Sequence, residues 1–333
     1  MNIRKVHNDR FDSRKVALIG LNTSVKVSII PDDETTGLRN LVRDYYYFKD
    51  QQSAIALKLS AKLRVSFPQY LKVFSSITAK TSLMLLAEYP LASDILAADK
   101  DTVIEAVRAC ARFGQGRAEK KYNAIVAAAR DAAVFGRALP SSAIRIRLYV
   151  SVFQEYQAHL DSILKELHKA VDNLENAQTR NRICLLQTLQ GAGFLSAAVL
   201  VAEMGSFDLF SSPKKLYAYF GLDPAVKQSG KFTGDQQHMS KRGPSLAKRI
   251  LHMAALNNLK VGSITKEPVN PVVYNYYKEK RKCKKKKVAI GAVMHKICNI
   301  IYAMLRDNQP FRMVTPQEHC EQYACRSKQK TAA

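Results

Sequence analysis

Between Phe153 and Leu174 the apolar residues Phe153, Tyr156, Leu160, Ile163, Leu167, Ala170 and Leu174 recur in alternating steps of three and four, within the helical stretch 141–178. That is the seam of a helix that needs a partner helix over about three heptads, because a stripe so narrow and regular cannot be covered by a sheet or a loop. The neighbouring Gln157, Asp161, Lys165, Glu166 and Lys169 leave the other faces to solvent. Spacing alone does not choose the partner. An antiparallel helix of the same chain and a second copy of the chain satisfy the seam equally.

The same period appears earlier. Leu41, Tyr45, Phe48, Ile55, Leu59 and Leu63 predict a long helix from Leu38 to Phe67, which Pro68 closes. Short alanine-rich helices follow from Ser93 to Arg137, broken by "FGQGR". That glycine pair is a turn and not a dinucleotide loop, since no third glycine follows and no strand precedes it. The chain reads as mainly α, and 333 residues with 47% hydrophobic content suffice for two or three domains.

Charge narrows the partner. Lys and Arg number 52 against 28 Asp and Glu, a net +24, which on a folded chain calls for a polyanion. No run of about 18 apolar residues is evident, and "MNIRKVHNDRFD" has no apolar signal segment, so the expectation is a soluble cytoplasmic protein that binds nucleic acid and not membrane. The six cysteines are scattered, as reduced thiols are. His319, Cys320 and Cys325 in "EHCEQYAC" have the wrong spacing for a zinc site.

Three stretches carry candidate phosphate contacts. In "RICLLQTLQGAGFLSAAVLVAEMGSFDLF", two apolar helices flank Gly191-Ala192-Gly193. Such a helix-hairpin-helix turns backbone N–H groups and a helix N-terminus toward a DNA phosphate, although the same glycines also serve an ordinary turn between packed helices. In "GLDPAVKQSGKFTGDQQHMSKRGPSLAKR", Ser229-Gly230 lies between Lys227 and Lys231, and Lys241-Arg242 precede Gly243-Pro244 at the start of another amphipathic helix. A serine attacks a phosphodiester only where cations offset the charge gathering on phosphorus, and these supply them. A serine in a lysine-rich loop is more often a plain surface residue. The third stretch, "KRKCKKKK", puts Lys284, Lys285, Lys286 and Lys287 ahead of an amphipathic helix, where they would track a phosphate backbone. Tyr274, Tyr276 and Tyr277 just before it would stack on bases or pack in the core. No phosphate-binding Gly-x-x-x-x-Gly-Lys loop and no His-Glu-x-x-His are present.

From the glycine hairpin through "AYFGLDP", the Ser-Gly loop and "SKRG" to the basic helix, then through "NPVVYNYYKEKRKCKKKK" to "MLRDNQPF", the order of motifs resembles the insertion-sequence transposases of the IS-one-ten family. "EYPLASDILAADKDTVIEAVRACARFGQGR" is similar to the family's middle region. The resemblance covers most of residues 7 to 312. It implies a DNA recombinase whose RuvC-like (RNase H-like) α/β domain holds Mg²⁺ on four acidic residues and whose C-terminal transposase domain supplies a catalytic serine. By position, "NDRFDSRKVA" gives Asp9 and Asp12 as metal ligands, and the serine is Ser229. The first two acids of the family have no counterpart here, since only eight residues precede Asp9.

The expected organisation is therefore multidomain: a remnant of the RuvC-like domain over 1–37, a helical and coiled-coil region over 38–178, a C-terminal transposase domain over 179–312 and a loose tail over 313–333. The resemblance further implies DNA as partner, a guide RNA made by the element, and a homo-oligomer. A non-enzymatic nucleic-acid-binding remnant of a transposase is the competing expectation.

Overall fold

A computed structural model describes residues 32–111, 113–224, 228, 229, 232, 233, 239, 240 and 242–315, with 13, 17, 18, 20, 21, 317, 318, 320 and 321. The fold is mainly helical, and two helices dominate it. Helix α1, Asp33–Ser66, starts where the Asp32 carboxylate accepts a hydrogen bond from Thr35 N at 2.6 Å, with Asp33 and Glu34 in its first turn complementing the helix dipole. Helix α7, Pro140–Asp172, starts with proline at its first position, where the missing N–H costs nothing. Thirty-four residues at 1.5 Å rise make α1 about 50 Å long.

These two helices pair antiparallel. Glu34 at the start of α1 accepts from the backbone of Glu175 and Asn176 just beyond α7, Phe48 lies against Tyr156 and His159, and Gln52 reaches Gln157. The seam from Phe153 to Leu174 therefore faces a helix of its own chain. Leu160, Leu167 and Leu174 are buried along it.

Gln52 interrupts the apolar contact. Only 2% exposed, it donates to Gln157 Oε1 at 2.9 Å and accepts from Lys49 Nζ at 2.9 Å. On either side of this polar layer lies a separate core. The distal one joins Leu59, Leu63 and Phe67 of α1 and Ile146 and Val150 of α7 to five short or medium helices: α2 (Tyr70–Val73), α3 (Lys80–Glu88), α4 (Ala92–Ala97), α5 (Lys100–Ala111) and α6 (Gln115–Phe135). Tyr70 anchors it, fully buried, donating its hydroxyl to the Ser82 carbonyl at 3.0 Å.

The proximal core takes Leu38, Val42 and Tyr46 of α1 and Leu167 and Val171 of α7 into the C-terminal segment. That segment comprises α8 (Ala177–Gln187), α9 (Phe194–Met204), α10 (Pro213–Tyr219), α11 (Ser245–Asn258), α12 (Pro271–Cys283) and α13 (Lys286–Asp307). The apolar clusters thus divide across α1 and α7, and the chain position 178/179 is crossed by the proximal core. Between α10 and α11 a two-stranded antiparallel hairpin, β1 (Gln228–Ser229) and β2 (Phe232–Thr233), forms the only sheet among the described residues.

Contrary to the sequence reading, α13 is long and apolar enough to cross a membrane. More than half of its apolar window is buried, and Ile297, Cys298 and Ile301 sit at the centre of the proximal core, so its composition is that of a core helix. Burial pushes the Cys298 thiol up to about 12, which leaves it protonated and unreactive at neutral pH.

Candidate nucleic-acid interface

The glycine turn joins α8 to α9 and rests on the C-terminal end of α11. Gly191 has φ +80°, and a Cβ there would come within 2.9 Å of both Asn257 Cβ and Asn258 Nδ2, so no side chain fits on either ground. Asn257 Nδ2 donates to Gly191 O at 3.1 Å and Asn258 Nδ2 to Gln190 O at 2.6 Å. Asn258 also accepts from Asn270 Nδ2, and Asn270 in turn caps α12 through Val273 N. Gly193 is the exposed N-cap of α9, and no side chain caps the helix there. Its first amides therefore point outward from a turn that three asparagines hold in place. Phe194 stacks on the His168 ring of α7 at 3.7 Å, joining the turn to the long helix pair.

The serine hairpin springs from the other end of α11. Gly221 closes α10 in a left-handed conformation, φ +67°, and the chain then runs outward beside its own return. Ser240 N donates to Asp223 O at 2.8 Å, the Ser240 hydroxyl donates to the Asp223 carboxylate, and Pro224 bridges Met239. This stem is fastened on two sides. Gly243 packs so tightly on the end of α10 that a Cβ would lie 1.8 Å from Tyr219 O. His295 of α13 stacks on Tyr217 and donates from Nε2 to Leu222 O at 2.7 Å. Ser229 pairs with Phe232 in the hairpin, with two residues between them. Lys227, Lys231 and Lys241 lie outside the described residues, and Arg242 is exposed at the stem.

Lysines of the basic run sit close to that stem. Lys284 and Lys285 connect α12 to α13, and Lys286 and Lys287 open α13; all four are exposed. Met239 of the stem touches Gly291, one helical turn past Lys287, about 6 Å along the axis. Four cations at a helix N-terminus, where the dipole is itself positive, form a concentration of positive charge that an anion relieves. Tyr276 and Tyr277 pack on the proximal core, and lysine ammonium groups lie over two of the three rings, Lys278 over Tyr274 at 4.7 Å and Lys280 over Tyr276 at 5.2 Å.

The structure thus brings Arg242 and Lys284 to Lys287 to the end of α11 that bears the serine stem, and puts Gly191 and Gly193 at the opposite end. Fourteen residues separate the two by about 20 Å. Asp9 and Asp12 lie outside the described residues, and no group of three or more His, Cys, Asp or Glu able to hold a metal is found among the described ones.

One charged contact escaped the sequence reading altogether. Glu203, 2% exposed in the apolar helix α9, is held by Arg43 of α1 through Nε at 2.7 Å and Nη2 at 2.9 Å. The pairing holds the Arg43 guanidinium above its ordinary value, the hydrogen bond to Glu203 being the main cause. Arg249 of α11 likewise pairs with Asp50 at 2.8 Å and lies over the Tyr46 ring, so α1 is riveted to the same two helices that position the glycine turn and the serine stem.

Residues 184–270 contain both the glycine turn and the serine hairpin, and they match the family described as transposase IS116/IS110/IS902. This segment of the chain is similar to that transposase family. The matched segment begins in α8 and ends at the α12 cap, so the serine stem, the glycine turn and α11 all fall inside it. The chain is also similar to the pilin gene-inverting protein of Moraxella bovis, 30% identical over 155 residues, and to that of Moraxella lacunata, 32% identical over 130 residues. These alignments cover 46% and 39% of this chain, and 46% and 38% of the respective relatives.

Proposed function

We propose that the chain is a DNA recombinase of an insertion sequence in which Ser229 attacks a DNA phosphodiester. The Ser229 Oγ–H proton is lost as the Oγ–P bond forms, the P–O bond to the deoxyribose breaks, and the departing sugar oxygen takes up a proton. The phosphoserine link keeps the bond energy, so a second sugar hydroxyl reverses the step and joins a new strand. Lys227, Lys231, Lys241 and Arg242 offset the charge on the phosphate. The lysines from Lys284 to Lys287 and the amides at Gly191 and Gly193 hold the duplex at points about 20 Å apart, close to six nucleotide steps of one strand.

The observation that carries this reading is the contrast between two serines of one hairpin. Ser240 is committed to the Asp223 carboxylate in the stem, whereas Ser229 belongs to the short strand beyond it, in a hairpin whose base is fixed by Gly243 and His295. The relatives support the same class of reaction, since inverting a gene requires strands to be broken and rejoined. The resemblance adds a guide RNA and homo-oligomeric assembly, and Mg²⁺ on Asp9 and Asp12 with further acids; no step above is assigned to the metal.

A suicide substrate, nicked so that the cleaved end diffuses away, tests the serine. The expected result is a protein–DNA adduct that survives denaturation and disappears in Ser229→Ala while salt-sensitive binding persists. An adduct kept by Ser229→Ala and lost by Ser240→Ala places the chemistry on the other hydroxyl. No adduct with the unaltered chain, at normal DNA binding, favours a non-enzymatic binding protein.

A further inference from the structure

A second cationic site lies away from the matched segment. Lys58, Ala61, Lys62 and Val65 of α1 and Arg145 and Tyr149 of α7 line an open groove of about 520 Å³ beside the distal core. Lys58 and Lys62 are one helical turn apart on the same face, and Arg145 stands across from them. No carboxylate lines the groove, and none of the three cations has an ion-pair partner among the described residues. Arg145 Nη2 donates to the Tyr149 hydroxyl at 3.2 Å, and that bond first, then the charges of Arg145, Lys58 and Lys62, hold the phenol below its ordinary value.

We infer that this groove binds a single strand of nucleic acid, its phosphates on Lys58 and Lys62 and an unpaired base on the Arg145 guanidinium, which lies over the Tyr149 ring 6.0 Å from its centroid. Like charges one turn apart on a helix repel, so an anion settling between them removes a cost as well as adding contacts. An aromatic face beside a cationic track is the arrangement that takes unpaired strands without regard to sequence. Lys58 lies eight residues beyond Asp50, the point where α1 meets α11, and Lys62 four further, about 12 to 18 Å along the helix. A strand seated there lies outside the segment that carries the serine stem, which makes it a second nucleic-acid contact. The inference rests on the reading that the chain works on nucleic acid.

The chain has no tryptophan, so Tyr149→Trp places a sole reporter in the groove. Titration with a 12-nucleotide single strand is expected to quench it to saturation. Lys58→Glu with Lys62→Glu should weaken the midpoint about tenfold or more. Replacing Lys284 to Lys287 by Ala should leave the quenching in place. Running the same oligomer as DNA, RNA and duplex identifies the natural strand, and tightest quenching by duplex would overturn the stacking arrangement.

Unchanged tryptophan emission at oligomer concentrations that shift the chain on a gel overturns the groove and spares the proposed function. Loss of both signals overturns both. A blue shift that grows with protein concentration alone means a second copy covers the groove, and the inference fails. Should the tryptophan variant fold poorly, photocrosslinking of 4-thiouridine strands to the unaltered chain, mapped to α7 and lost in Lys58→Glu with Lys62→Glu, gives the same decision.

Discussion

Glu203 sits among eight consecutive buried residues of α9, and Arg43 arrives from 160 positions earlier to give its carboxylate two hydrogen bonds. Removing Arg43 leaves that charge without its partner, at a cost well above that of a surface pair. Arg43→Ala is therefore expected to lower stability by about 2–3 kcal/mol in a urea titration, and Arg43→Ala with Glu203→Leu to recover much of it. A loss under 0.5 kcal/mol would show that water reaches Glu203. Nothing local in the sequence marks the pair, because an isolated Glu in "FLSAAVLVAEM" signals a helix end as readily as a buried ion. Ser229 was singled out only through the order of motifs around it, and the bond between Ser240 and Asp223 became visible only with the stem folded.

At the scale of elements, the three-four spacing of α7 said that a helix must cover it and could not say which, because a seam carries no address. The address lies in features that periodicity ignores: Gln52 opposite Gln157, Phe48 between Tyr156 and His159, and Glu34 at the far end. The buried Gln52 amide fixes register, since a shift of the helices would take it away from Gln157 and leave it unpaired. The α1 helix itself was read within a few residues, from its apolar period and Pro68, and the alanine-rich helices were placed by the turn at Gly114. The expectation that failed was α13, whose apolar content was underestimated because its flanking lysines drew attention to charge. Since the seam faces α1, Leu160→Asp with Leu167→Asp should reduce helicity in circular dichroism and lower the melting temperature without changing the mass seen by light scattering. A halved mass at unchanged helicity would move the seam to an interface between chains.

For the whole molecule, which carries a net +24, two exposed cationic groups lie at the two ends of one long helix pair. Lysines 284 to 287 belong to the proximal end, and the groove of Lys58, Lys62 and Arg145 to the distal one. Binding to duplex DNA should weaken with salt by a log–log slope of several units, and alanine at the four lysines should lower the slope by up to about four with sequence preference unchanged. Fluorescence anisotropy across a salt series measures both. A flat dependence would remove the phosphate contacts from the account of binding.

The shared helix pair also sets a timetable. Residues 38 to 46 leave the ribosome early, yet the α9 surface against which they pack, with Glu203 at its centre, is made some 160 residues later, roughly 10 to 30 s at bacterial or eukaryotic elongation rates. Through that interval the distal core can close, because all its buried residues come before residue 151, while Leu38, Val42 and Tyr46 wait in the open. The nascent chain thus carries an unpaired apolar stripe for about half of its synthesis, and that stripe is where a chaperone would be expected to hold it.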